Sequence, residues 1–274
     1  MIILAQTKGG AGKSTTAMQA LAPWLHTRFG SATLVELDDQ NHDSSDYENS
    51  VINTHQLKMG KESMSHLAVD RLLDQYDLES LVLDIGGNRT CEMALDAFGL
   101  AGYEQFIDLI VIPVTSTGQD VTNARRTLDI IRQKMPAYDG PILLAITRVI
   151  DEDPDVVESV MPDAYDFLRK EKLLGPIIIP ARNCFAMSRK MKRTVWELGE
   201  HYPEIEAELR NEMLASKNNN DITRAKEVGF LNKIVRESQR EYTLLNNIFT
   251  QLDTMVGTTS MVASNHVKSE SANK

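Results

Sequence analysis

The chain has 274 residues, 42% of them hydrophobic, enough to bury a full core as one α/β domain with an appendage or as two small domains. Its net charge of −10 at pH 7 argues against bulk attraction to DNA, so any nucleic-acid contact must come from a local basic patch. No apolar run approaches the roughly 20 residues of a membrane span, and the opening MIILAQTKGG lacks the basic region and cleavage site of a secretory signal.

Short apolar runs recur along the chain: Ile2 to Ala5, Ala32 to Leu37, Leu81 to Asp84, Leu109 to Val114, Ile142 to Ile146 and Pro176 to Ile179. They are continuous rather than alternating, as strands covered on both faces should be. Helical patterns lie between most of them, including Thr15 to Arg28, Gln119 to Lys134 and Val156 to Glu171. Strands alternating with helices predict βαβ units and a mostly parallel, doubly wound α/β sheet. No internal repeat is present. Acid is concentrated in Glu36 to Glu48 and in Asp151 to Glu158, which reads as solvated loop. Cys91 and Cys184 fit no metal spacing, so a reducing cytoplasm is the expected location.

The sheet pattern ends near Ile179, and residues 1–215 read as one domain. A polar linker follows at Ser216 to Asp221, then one long amphipathic helix from Ile222 to Val256. Leu231, Ile234, Leu245, Ile248, Leu252 and Met255 follow heptad spacing, broken by Ser238. Such a seam suits either packing on the chain's own domain or association with a partner. Residues 257–274 are rich in Ser, Asn and Thr, and disorder is expected there.

The strongest signal is the run Thr7 to Thr15, which follows an apolar strand and opens a helix, the context of a phosphate-binding P-loop. Gly9, Gly10 and Gly12, with Ala11, let successive backbone N–H groups approach phosphate oxygens. The helix starting near Lys13 aims its positive dipole end at the same anion. Lys13 suits the β- and γ-phosphates, and the Ser14 hydroxyl is a hard oxygen ligand for Mg²⁺.

In place of the usual first glycine stands Thr7, followed by Lys8. The box KGGAGKST resembles the deviant Walker A motif of the ParA/MinD family of ATPases, and similar features extend over roughly residues 1 to 200. In outline the chain looks like the short ParA-type partition ATPases, since no helix-turn-helix segment precedes the first strand. The resemblance implies ATP and Mg²⁺ as cofactors and a homodimer closed over ATP, with Lys8 reaching the partner's nucleotide. Leu34 to Gln40 is similar to the family's D-x-D-P-Q box, with Asp38 expected beside the γ-phosphate to orient water or hold a water of the Mg²⁺ shell. Glu36 and Asp39 depart from the usual Asp and Pro. Ser80 to Asn88 looks like Walker B, with Asp84 holding the magnesium shell through water. The Asp-Ile-Gly-Gly that follows would pass close to the γ-phosphate. Thr147 and Arg148 fall where the family recognises adenine, although Asn is more usual at Thr147. Pro180, Ala181 and Arg182 resemble the loop that folds over the base.

Arg182 to Arg193 holds Arg182, Arg189, Lys190, Lys192 and Arg193 and no acid. Arg189, Lys190, Lys192 and Arg193 are candidate contacts to nonspecific DNA, which ParA-like proteins bind as ATP dimers. A solvated face, or one pairing with the acidic loops, is the other reading. No basic amphipathic helix closes the chain, so membrane recruitment of the MinD kind is not expected. The leading expectation is a cytoplasmic, nucleoid-associated DNA-segregation ATPase, reset when a centromere-binding or other partner stimulates hydrolysis. Beside it stands an ATP-switched scaffold for conjugative DNA transfer or the positioning of a cellular complex. A metabolic enzyme on the same fold ranks last, because no second catalytic constellation is present.

Overall fold

The computed structural model describes residues 1–37, 47–58 and 65–271, with side chains at 1–37, 47–58 and 67–257. Seven strands form one all-parallel sheet in the order β3-β2-β4-β1-β5-β6-β7. They are β1 (Ile2–Leu4), β2 (Thr33–Leu37), β3 (Asn53–Leu57), β4 (Leu81–Ile85), β5 (Leu109–Val114), β6 (Ile142–Val149) and β7 (Leu174–Pro180). Six of them coincide with the apolar runs. The seventh, β3, is an edge strand of sequence NTHQL with no buried residue, so the apolar pattern does not mark it.

Alternation along each strand explains the continuous runs. Ile3, Val35, Leu83 and Ile110 enter the core on one face of the sheet. Ile2, Leu34, Val82 and Leu109 enter the core on the other. The first face is covered by α3 (Ser65–Gln75), α4 (Arg89–Ala101), α5 (Gly118–Lys134) and the pair α6 (Pro154–Val160) and α7 (Pro162–Glu171). The single helix expected over Val156 to Glu171 is two, because Pro162 starts a new helix after Met161.

The second face is covered by one helical run of three parts: α1 (Lys13–Thr16), a π-turn (Ala17–Leu21) and α2 (Ala22–Phe29). Beside it lie α8 (Asn183–Met187), α9 (Val195–Glu200) and part of α11 (Ile222–Ser271). Between α9 and α11, α10 spans Tyr202–Asn218, reaching into the expected linker. The heptad seam of α11 packs on the chain's own domain. Leu245, Ile248 and Leu252 join the core of the second sheet face, and Ile234 joins a smaller cluster with Ile205 and Leu209 of α10. Ser238, which breaks the seam, is buried and donates to the Ile234 carbonyl at 2.9 Å. The helix also runs on to Ser271, past Val256 and into the stretch expected to be disordered. No proline follows Gly257 to halt it. Among the described residues no helix is long and apolar enough to cross a membrane.

Candidate nucleotide site

The carboxyl ends of β1, β2 and β4 meet at one cavity, where an open parallel sheet places its ligand. Gly9, Gly10, Gly12, Lys13, Ser14 and Thr15 form one wall. Gly10 and Gly12 have φ of 79° and 87°, a left-handed backbone that glycine adopts without strain. Gly12 is constrained twice, because a Cβ there would lie 2.4 Å from Thr147 Oγ1. Lys13 is 9% exposed, its charge held at the cavity by the loop it belongs to.

The opposite wall comes from β2 and β4. Glu36 and Asp84 are register partners on adjacent strands, both buried, and both line the cavity. Gly86 and Gly87 follow the end of β4 and line the cavity beside the phosphate loop. The Asn88 N–H donates to the Thr7 carbonyl at 2.6 Å. A Cβ at Gly87 would come within 3.2 Å of the Gly9 nitrogen. The loop after β4 is therefore in direct contact with the backbone that would hold phosphate. Ser14, Asp84 and Glu36 present hard oxygens to one space, a donor set suited to Mg²⁺. Asp38, Asp39 and Gln40 lie outside the described residues.

Lys8 does not face this cavity. It lines the neighbouring depression together with Asn88, Arg89, Asn123 and Arg126. Its Nζ pairs with Asp120 Oδ1 at 2.5 Å, with the lysine side chain 35% exposed and the aspartate 3%. Thr115 donates a hydrogen bond to the other Asp120 oxygen. Burial pushes the Asp120 carboxyl up, but the bonds from Lys8, Thr115 and Thr117 outweigh it and hold it below the usual aspartate range. A second link joins α5 to the loop, for the Thr7 N–H donates to Thr127 Oγ1 at 3.1 Å and Thr127 donates to Gln6 Oε1 at 3.0 Å. The first helix after β5 is thus bonded to the start of the phosphate loop at two points, through residues that sequence spacing does not single out.

The residues expected to meet adenine separate in space. Thr147 is 1% exposed and donates to the Ala11 carbonyl at 3.0 Å, bracing the phosphate loop. Arg148 lines the cavity, at a register irregularity of β6 where its φ is 59°. A non-glycine residue held in that region is strained, and such strain collects at functional sites. Pro180, Ala181 and Arg182 are not among the residues lining the phosphate cavity. The Ala181 N–H donates to the Val149 carbonyl at 2.7 Å. Arg182 donates to Glu241 Oε1 of α11 at 3.1 Å and pairs with Glu152.

The basic segment is not one helix. α8 ends at Met187, Ser188 to Met191 form a single 3₁₀ turn, and Lys192 has a φ of 57°. The charges diverge as a result. Arg189 lines the nucleotide cavity, Lys190 lies 6.0 Å from the Phe230 ring, Lys192 pairs with Glu48, and Arg193 is half-buried. Burial pushes the thiols of Cys91 and Cys184 up to about 12, which removes both from thiolate chemistry near neutral pH.

No family model and no curated protein matches the sequence. Among solved structures, the cell division protein MinD of Aquifex aeolicus is similar at 15% identity, over 87% of this chain and 94% of that one, with a TM-score of 0.50. A complex of Cyanothece McdA with ATP is similar at 16% identity, over 74% of this chain and 90% of that one, also with a TM-score of 0.50. These likenesses show a shared fold, a parallel α/β sheet with helices on both faces.

Proposed function

We propose that this chain is a deviant-Walker ATPase of the ParA/MinD kind that works as an ATP-gated dimer in DNA segregation. ATP with Mg²⁺ brings two copies face to face, the closed dimer holds nonspecific DNA, and hydrolysis stimulated by a partner protein reopens it. The observation that carries this reading is Lys8. It stands directly ahead of the glycines yet lines the depression beside its own phosphate cavity, partly exposed and held by Asp120. A lysine so placed is available to a neighbouring subunit's phosphates once the pair with Asp120 is exchanged. The McdA complex with ATP, on the same fold, supports ATP as the ligand.

Within one subunit the proposed roles divide among the phosphate loop, the strand ends and α5. The glycine backbone and Lys13 bind the phosphate chain, and Ser14 with Asp84 would hold Mg²⁺, which supplies charge neutralisation at the β- and γ-oxygens. Asp38 is the proposed water-orienting residue. The loop from Gly86 to Asn88, bonded to Thr7, is placed to respond to the γ-phosphate, and α5 is placed to pass that response on.

A second reading is an ATP-switched scaffold that positions a protein complex without holding DNA. The dispersal of the basic segment favours it, since Arg182 and Lys192 are neutralised by Glu152, Glu241 and Glu48. Titration of random-sequence duplex with ATP, with ADP and without nucleotide, across a salt series, separates the two. Segregation predicts ATP-dependent binding that falls steeply with salt and is lost when Lys190, Lys192 and Arg193 are all alanine. A dimer that forms with ATP but has no duplex affinity supports the scaffold.

A further inference from the structure

Arg189 belongs by sequence to the basic run, but the 3₁₀ turn at Ser188 to Met191 carries it into the cavity with Lys13, Ser14, Glu36 and Asp84. The Tyr47 ring lies beside its guanidinium, and Gln19 ties down the segment around it. The guanidinium carbon lies 6.0 Å from the centre of the Tyr47 ring, which is 4% exposed. Tyr47 and the neighbouring Ser188 are both tied to Gln19, whose Nε2 donates to the Tyr47 hydroxyl at 2.9 Å and to Ser188 Oγ at 3.2 Å. The other end of the same amide accepts the Val195 N–H at 2.8 Å, which closes the segment that follows.

Gln19 is 1% exposed and sits in the π-turn that continues the helix begun at Lys13. Single π-turns inside helices are uncommon and frequent at functional sites. Here the turn lets the phosphate-loop helix hold the backbone that carries Arg189. One hydrogen-bonded unit therefore presents the loop glycines, Lys13 and Arg189 to the same space. The planar fork of a guanidinium matches phosphate oxygens in a way that a second lysine would not.

We propose that Arg189 is a phosphate-binding residue of the nucleotide site, with Gln19 and Tyr47 as the residues that position it. This rests on the reading that the cavity takes ATP. Arg189 is thereby withdrawn from the DNA-contacting set, and the phosphate chain is held by two cationic side chains of the same subunit, Lys13 from the loop and Arg189 from the 3₁₀ turn.

The test is calorimetric titration of the full chain with Mg-ATP, Mg-ADP and adenosine, comparing wild type with Lys13→Ala, Arg189→Ala, Arg189→Lys and Lys190→Ala. Losing a charge-assisted contact to phosphate predicts roughly 10- to 100-fold weaker ATP and ADP binding for Arg189→Ala. Lysine should restore part of it, and Lys190→Ala should bind as wild type does. Tyr47→Leu should weaken ATP in the wild type but add nothing in the Arg189→Ala background, the coupling expected of a positioning residue. ATP binding unchanged in Arg189→Ala but lost in Lys13→Ala would overturn this inference alone. No ATP binding by the wild-type chain would overturn the nucleotide reading beneath it as well.

Discussion

The phosphate loop and the basic segment both bring positive character to this acidic chain, and the structure treats them oppositely. In the loop, glycines with left-handed φ turn backbone N–H groups and Lys13 toward one cavity. In the segment from Arg182 to Arg193, a broken helix sends Arg182 and Lys192 to acidic side chains, Lys190 to an aromatic ring and Arg189 to the nucleotide cavity. Charges adjacent in sequence act together only when the backbone converges them. The loop gathers its glycines and Lys13 at one cavity and leaves Lys8 beside it, whereas the basic run has no backbone that gathers its charges.

The largest effect is expected for Lys13→Ala. Lys13 is buried at the cavity, so its loss should weaken ATP binding by at least about 100-fold, since a charged bond to phosphate in a desolvated site is among the strongest single contacts. Near-normal affinity by calorimetry would mean that the loop's charge is not pooled on phosphate. Gly12→Ala probes the backbone itself. A φ of 87° and a Cβ 2.4 Å from Thr147 Oγ1 should cost about 1–3 kcal/mol of stability, read from denaturant midpoints, together with a marked loss of ATP affinity. A variant as stable as wild type would show that the loop tolerates another shape.

Smaller effects are expected where charge is already paired. Asp120→Asn keeps an acceptor for Thr115 but removes the charge that holds Lys8. It should tighten the ATP-dependent dimer by roughly 2- to 20-fold, measured by sedimentation, with ATP affinity of the single subunit unchanged. A weaker dimer would mean that Asp120 delivers Lys8 rather than restraining it. Lys192→Ala removes an ion pair in which both side chains are about half exposed. Its unfolding free energy should stay within about 0.5 kcal/mol of wild type. A larger loss would make the segment a more cooperative unit than its diverging side chains indicate.

The contrast also explains what was legible in the sequence. The loop from Lys8 to Thr15, the strands carrying Glu36 and Asp84, and the strands that flank them toward β7 are local patterns, and all are where apolar runs and glycines place them. The edge strand from Asn53 to Leu57 escaped because no residue in it is buried, so it carries no apolar period. Asp120 and Gln19 escaped for a different reason. Asp120 meets Lys8 across 112 positions, and Gln19 meets Ser188 across 169. Nothing in the spacing of either residue announces such a partner. Thr147 likewise donates its hydroxyl to the Ala11 carbonyl across 136 positions, a contact that its place after a strand does not announce.

In the proposed dimer Lys8 serves a second subunit. The direct measurement is the molar mass of the full chain in solution with Mg-ATP, with Mg-ADP and without nucleotide, for wild type and Lys8→Ala, alongside the ATP affinity of each. Wild type is expected to double its mass with ATP alone. Lys8→Ala is expected to bind ATP as wild type does and to stay at the mass of one chain. A Lys8→Ala protein that dimerises with ATP as readily as wild type would contradict that role.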